Sequence, residues 1–361
     1  MATDIQISKR FEENGLNYTK FPLQNEAFLL IGERGGRVFG PFIHPGEESL
    51  YWVNRAFEHP KSFKQELERG FWNQGGERVW VAPEIQYFVH DRGDFWGTNH
   101  LPPQLDPGNY ELTHGHPHEI VLHNKFSLKA YNTAAGDKSL ELEIRIQPVE
   151  NPLRFVSEEH LRHSDLVYAG YQQIITLKET NDTLIQSESW NLVQLNPGGF
   201  VFIPASPRVQ YYDYFEPVDH HHQHILSDHV RLNITGQRRY KTGYAAAHIT
   251  GRSAYYNLRS DGQGYLLIRN FFNNPSAPYL EEPPQLHGVK GKSLHVYNDG
   301  GQFGGFGELE VNGQAIGGAT GRSESTDQFI MWIFVGESNK LQEIARHLLG
   351  INVDFSAFYN Y

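Results

Sequence analysis

The chain has 361 residues, a formal net charge of −11 at pH 7 and no cysteine. An acidic chain without a dense stripe of Lys and Arg repels phosphate backbones, so we do not expect nucleic acid as a partner. The lack of cysteine excludes disulfides, thiol catalysis and Cys-ligated zinc. We also expect no membrane partner and no signal peptide, because no apolar run approaches ~20 residues and the N-terminus lacks a basic segment followed by an apolar one. Neither the compartment nor the oligomeric state follows from the sequence.

The predicted secondary structure is mostly β. Residues 140–147 alternate apolar side chains with charged or amide ones, which is typical of a half-buried strand. Further strands are predicted at 201–203, 230–234, 266–268 and 329–335. A helix is predicted over 341–349, where apolar residues recur at helical spacing and Gly350 follows as a C-cap. We therefore predict a single all-β domain over 1–361, built from stacked antiparallel sheets with a short C-terminal helix.

Polar side chains lie between aromatic ones in the segment 71–84. Asn73, Arg78 and Glu84 offer hydrogen bonds to hydroxyl groups, and the ring of Trp80 offers a face for the apolar C–H groups of a sugar. Arg is especially suited to paired oxygen acceptors because its guanidinium is a rigid fork of donors. The alternative is a structural turn in which Arg78 forms a buried ion pair with an acid, and both interpretations stay open on these residues alone.

Two histidine clusters are candidates for chemistry. His114, His116 and His118 are two residues apart, so on a strand they would share a face and converge on one metal ion. With the acidic residue that follows, they are similar to the first metal motif of cupins, although the gap to 197–204 is longer than a cupin hairpin allows. The second cluster, at 220–224, fits a solvated loop better, because adjacent side chains on a strand point to opposite faces.

Two carboxylates lie close together in the C-terminal third. Glu308 and Glu310 are two apart, so on a strand they share a face while Leu309 enters the other. Such a pair repels itself unless cations or protons compensate, and it often carries shifted pKa values. One of the two is therefore a candidate general base. The alternative is a solvent-facing strand edge.

The order of these motifs resembles the galactose mutarotase-like (aldose 1-epimerase-like) superfamily, and most closely an uncharacterised bacterial branch of it. The resemblance runs from about residue 20 onward through GGRV at 35–38, LYWVN at 50–54, the segment 73–84, WNLVQL at 190–195, KTG at 241–243, GR at 251–252, FGELE at 306–310 and the terminal helix. It implies a β-supersandwich with a sugar cleft. A Glu there takes the proton of the anomeric hydroxyl, and a His protonates the ring oxygen.

The resemblance also implies roles for individual residues. Glu310 is similar to the basic Glu, Asn73 and Arg78 resemble the sugar-holding Asn and Arg, and His114 resembles a His that contacts sugar. The chain departs from the pattern at 190–195, where Gln194 stands on the strand that should supply the acid. Because Gln cannot act as a general acid, His114 or His116 supplies the proton, or the chain does not catalyse mutarotation.

We therefore predict a carbohydrate-active enzyme nearest to an aldose epimerase, acting on a mono- or oligosaccharide without a cofactor or metal. The predicted site residues are Glu310, His114 and His116 for catalysis, and Asn73, Arg78, Trp80, Glu84, Trp190, Gln194 and Glu308 for substrate binding. The alternatives are a lyase or hydrolase acting on an acidic oligosaccharide, a non-catalytic glycan-binding module and a cupin-like metalloenzyme, since one fold hosts many functions.

Overall fold

The structure is a computed structural model that describes residues 2–116, 118–162 and 165–355. Within these residues the strands are β1 (Tyr18–Pro22), β2 (Phe28–Gly32), β3 (Arg37–Phe42), β4 (Glu77–Ala82), β5 (Glu111–His114), β6 (Ile120–Ala130), β7 (Gly136–Pro148), β8 (Val167–Glu179), β9 (Glu188–Leu195), β10 (Gly199–Pro204), β11 (Tyr211–Asp213), β12 (Gln223–Ile225), β13 (His229–Ile234), β14 (Tyr240–Ala245), β15 (Arg252–Leu258), β16 (Gly264–Phe271), β17 (Lys292–Asn298), β18 (Gly307–Asn312) and β19 (Glu324–Gly336).

The helices are α1 (Asp4–Glu13), α2 (Pro60–Glu68), α3 (Glu84–Tyr87), α4 (Phe95–Thr98), α5 (Glu159–Arg162) and α6 (Ser338–Leu349). Short 3₁₀ turns lie at Arg34–Gly36, Arg55–Glu58, Arg92–Asp94, Pro152–Phe155, Ala246–His248 and Gly318–Thr320, and a π turn lies at Gln104–Gly108. In the part of the chain that the structure describes, no helix combines the length and the apolar character needed to cross a membrane.

The strands form two large sheets. One has nine strands in the order β1-β2-β3-β4-β9-β18-β17-β14-β11, and the other has ten in the order β12-β13-β10-β15-β16-β19-β8-β7-β6-β5. Every strand pairing within the described residues is antiparallel. The predicted architecture of large antiparallel sheets is confirmed.

Apolar side chains fill the space between the two sheets. Val79 on β4 and Leu309 on β18 belong to one buried cluster with Ile144 on β7 and Ile333 on β19. Because successive side chains of a strand point to opposite faces, the polar neighbours of these residues, Arg78 on β4 and Glu308 and Glu310 on β18, lie on the other face of the sheet. Polar side chains of β4 and β18 therefore lie on the outer face of the nine-stranded sheet, near its centre.

A buried ionic network also crosses between the sheets. Glu77 on β4 accepts hydrogen bonds from Arg269 on β16 at 2.8 Å and from Gln173 on β8 at 2.7 Å. Tyr171 on β8 donates to the same carboxylate. Arg269 and Glu77 have side chains only 1% and 2% exposed, so each neutralises a charge that water cannot reach.

The five predicted strands are confirmed as parts of β7, β10, β13, β16 and β19, the predicted helix is confirmed as α6, and two further helices were missed. On β7 the apolar residues of 140–147 are buried and their neighbours are not. Helix α6 buries its apolar stripe against β16, and Gly350 closes it at φ +70°. Helix α1 was not predicted, although Thr3 and Gln6 form a capping box at its start. Helix α2 was not predicted either.

Candidate active site

A cavity of about 310 Å³ opens on the outer face of the nine-stranded sheet. Its floor comes from β4, β9, β18, β17 and β14, which are neighbours at the centre of the sheet. Its lining consists of Trp72, Arg78, Trp80, Glu84, Phe88, Trp96, Asn99, His100, Leu101, Trp190, Phe215, Lys241, Tyr297, Phe303, Phe306, Glu308 and Glu310. Six predicted site residues meet here: Arg78, Trp80, Glu84, Trp190, Glu308 and Glu310.

Glu310 is a buried carboxylate on the cavity floor. Its Oε2 accepts a hydrogen bond from Nε1 of Trp190 at 3.0 Å and lies 3.2 Å from Nζ of Lys241. Burial raises the pKa of Glu310 to about 7, against the lowering effect of Lys241 and with a further rise from Glu308 and Glu84. A carboxylate that titrates near neutral pH has the proton affinity required of a general base.

Lys241 joins two carboxylates across the floor. Its Nζ lies 3.1 Å from Oε2 of Glu84 as well as 3.2 Å from Glu310, and it stands 4.5 Å from the ring centre of Trp190. Burial opposes its charge, but Glu310, Glu84 and Glu281 outweigh burial and raise its pKa. Lys241 is therefore a fixed cation. Glu281 lies behind it, and burial raises the pKa of Glu281 to about 8.

Arg78 is buried yet keeps donors unused. One Nη donates to Oε1 of Glu308 at 2.7 Å, and the guanidinium lies 3.9 Å above the ring of Trp80. Its side chain is 2% exposed, and Nε and Nη1 have no hydrogen-bond partner among the described residues. A buried donor without a partner costs about 1–3 kcal/mol, so a ligand oxygen that accepts from Arg78 is bound favourably. The predicted buried ion pair of Arg78 is present, and the same residue lines the cavity.

Aromatic side chains form the cavity walls. The rings of Trp80 and Trp190 meet edge to face at 5.6 Å, and Trp72 lies 6.4 Å from Trp80. Nε1 of Trp80 donates to Asp106, which also pairs with Arg37. These contacts fix the rings, and the wall presents flat apolar faces of the kind that pack on the C–H face of a sugar ring.

Asn73 and Gln194 do not line the cavity. Gln194 donates from Nε2 to Oδ1 of Asn73 at 2.9 Å, and Asn73 donates from Nδ2 to the carbonyl of Phe303 at 2.7 Å. Phe303 does line the cavity. The two amides therefore hold a wall residue in place instead of facing a ligand. The same loop is anchored by Asp299, whose Oδ2 accepts from the amide of Phe303 at 3.1 Å.

The structure does not bring His114 and His116 to this cavity. His114 ends β5, the edge strand of the ten-stranded sheet, and both side chains are exposed. The cluster at 220–224 does not line the cavity either. Within residues 2–116, 118–162 and 165–355, no three His, Cys, Asp or Glu side chains stand together in a way that would hold a metal ion.

A different histidine lines the cavity. His100 lies in the loop after α4, and its Nε2 is 3.2 Å from Nε2 of His90. Burial and the neighbouring His90 lower the pKa of His100. Sequence reasoning missed His100, because it lies in a segment without periodicity. It also gave no role to Lys241, although the KTG motif containing it contributed to the family resemblance.

Comparison with known proteins finds similar solved structures and one protein family. It is similar to the galactose mutarotase related enzyme from Lactobacillus acidophilus, with 9% identity, a TM-score of 0.46, and coverage of 87% of this chain and 96% of that one. It is also similar to a galactose mutarotase-like protein from Lactobacillus casei, with 10% identity, a TM-score of 0.40, and coverage of 89% and 99%. Comparison with curated protein sequences finds no match. The chain belongs to the Family of unknown function (DUF6786), which matches residues 22–356.

Proposed function

We propose that this chain is a sugar-processing enzyme nearest to an aldose 1-epimerase, with Glu310 as the general base. The observation that carries the proposal is a buried carboxylate with a pKa of about 7 on the floor of a cavity walled by tryptophan rings. The contacts that described residues make with Glu310 are to Oε2. Oε1 is thus the atom that takes the proton of the anomeric hydroxyl.

The proposed reaction moves two protons and breaks one ring bond. Glu310 removes the proton of the anomeric hydroxyl, while protonated His100 gives a proton to the ring oxygen as the bond from C1 to that oxygen breaks. The open-chain aldehyde rotates about C1–C2, and the reverse transfers close the ring on the other face. Each acid or base contributes about 10²–10⁴-fold. His100 takes the acid role that His114 and His116 were predicted to have, because it lines the cavity and they do not.

The charges of the cavity favour a neutral sugar. The carboxylates of its lining are Glu84, Glu308 and Glu310, and its cations are Lys241 and Arg78. Each cation is already paired with a carboxylate within 3.2 Å. A uronate would add a negative charge to a site whose lysine and arginine are already paired with carboxylates, which disfavours a lyase or hydrolase acting on acidic oligosaccharides.

Anomer exchange tests the proposal directly. Two-dimensional exchange NMR on freshly dissolved aldohexoses and aldopentoses should show that the enzyme accelerates interconversion of the α and β anomers. A rise in ultraviolet absorbance on uronate-containing glycans, without anomer exchange, would favour the lyase instead. Tight sugar binding with neither reaction would indicate a glycan-binding module.

A further inference from the structure

A second cavity adjoins the first. It has a volume of about 640 Å³. Trp96 and Phe215 belong to the lining of both cavities, with ring centres 4.8 Å apart. Trp96 is 51% exposed, so its ring is accessible to a ligand. The two rings therefore form a shared wall that reaches from one cavity into the other.

The strand that supplies Lys241 to the first cavity leads to an arginine in the second. Arg239 comes directly before β14, two residues from Lys241, so an extended chain places both on the same face about 7 Å apart. That step is about the width of one sugar ring. The guanidinium of Arg239 lies 4.0 Å from the ring centre of Trp96 and 5.6 Å from that of Phe215.

Arg239 has donors that no described side chain uses. Its neighbour Arg238 is paired with Asp219 and donates to the carbonyl of Pro217, whereas no ion pair or side-chain hydrogen bond joins Arg239 to another described residue. Stacking on two rings holds the guanidinium plane in place and leaves its N–H groups free at the edge. The polar lining also contains the side chains of Glu216, Gln237, Arg238, Gln285 and Gln302.

We propose that the second cavity binds a further sugar ring, so that the substrate is an oligosaccharide whose reducing end occupies the first cavity. This inference rests on the proposed function and names its substrate class. The added ring packs against the shared wall of Trp96 and Phe215, and its hydroxyl groups accept hydrogen bonds from Arg239. The first cavity holds the ring that is opened and closed.

The test compares each disaccharide with its own reducing-end monosaccharide. The pairs are glucose with maltose, cellobiose and lactose, galactose with β-1,4-galactobiose, and mannose with β-1,4-mannobiose. For at least one pair, kcat/KM for anomer exchange should be at least tenfold higher for the disaccharide. Arg239→Met should reduce this preference to threefold or less while changing kcat/KM for the monosaccharide less than twofold. Arg208→Met, an exposed arginine outside both cavities, is the charge-matched control and should keep the preference.

Three outcomes overturn the inference: no disaccharide preference in any pair, a preference that survives Arg239→Met, or an equal loss for both sugars in that variant. If the enzyme exchanges no anomers, the proposed function fails. Calorimetric titration with the same pairs and variants then tests separately whether the second cavity binds a sugar ring. Disaccharide binding that is at least tenfold tighter and is lost in Arg239→Met supports the inference, and no binding of any of these sugars overturns it.

Discussion

Replacing Lys241 with Met should move the ionisation of the proposed base, Glu310, to higher pH. Lys241 lies 3.2 Å from Glu310 and favours its ionised form, so its removal raises the pKa of Glu310 above its present value of about 7. Two unit charges at this distance interact by ~5 kcal/mol at an effective dielectric of about 20. Only ~1.4 kcal/mol of this is required to move the pKa by one unit, and the hydrogen bond from Trp190 remains.

The expected result is a ratio of variant to wild-type kcat/KM that lies below one at neutral pH and rises with pH, as Glu310 ionises in the variant. The base must be deprotonated, so at pH 7 the active fraction falls from about one half to about one tenth, which is about fivefold in kcat/KM. Near pH 9 the ratio should return to about one, because Glu310 is then ionised in both proteins. The assay is anomer exchange measured from pH 5 to pH 10, with Lys125→Met, an exposed lysine on β6, as the control. A ratio that stays the same from pH 5 to pH 10 would refute the assigned role of Lys241.

Three further predictions concern other contacts. His100→Gln should lower kcat for anomer exchange at least 100-fold, whereas His114→Gln should leave kcat within twofold of the wild type. The reverse pattern in the same kinetic assay would show that His114, as predicted from the sequence, is the acid. Arg78→Met should raise KM about tenfold or more, because the substrate loses hydrogen bonds from a charged donor; an unchanged KM would show that its free N–H groups do not meet the sugar. Arg269→Met should destabilise the fold by about 3–5 kcal/mol by leaving Glu77 buried without its cation, as measured by urea unfolding, and a loss below 1 kcal/mol would contradict that.

The fold was predictable where the pattern is local. Alternation over 140–147 identifies β7, and apolar spacing over 341–349 with a following glycine identifies α6. Helix α1 was missed because its ten residues bury few apolar side chains, although its capping box was visible in the sequence. The order of the strands within each sheet depends on contacts between distant segments, and one sequence does not contain that information.

The candidate site was predictable where one strand carries the residues. Two-residue spacing places Glu308 and Glu310 on one face of β18, and both are buried instead of lying at a solvent-facing edge. The acid was not predictable in this way. His100 lies in a loop after α4 and reaches the cavity through tertiary folding, whereas His114 lies on a strand at the far edge of the other sheet.

The sequence also does not predict which polar side chains near the cavity are free to bind a ligand. Asn73 was predicted to hold sugar, yet its amide is used by Gln194 and by the carbonyl of Phe303. Composition and spacing identify hydrogen-bonding side chains, but they do not tell whether a protein group or a ligand satisfies them. In Arg78 one nitrogen of the guanidinium pairs with Glu308, whereas Nε and Nη1 have no partner among the described residues.

Glu310→Gln separates chemistry from binding in one comparison. The amide keeps the shape of the side chain but cannot take a proton from a sugar hydroxyl. The sugar that the wild-type enzyme interconverts fastest should bind the variant within threefold of the wild-type Kd by calorimetry, while NMR anomer exchange should fall at least 100-fold. Anomer exchange at the wild-type rate in the variant would contradict the assignment of Glu310 as the base.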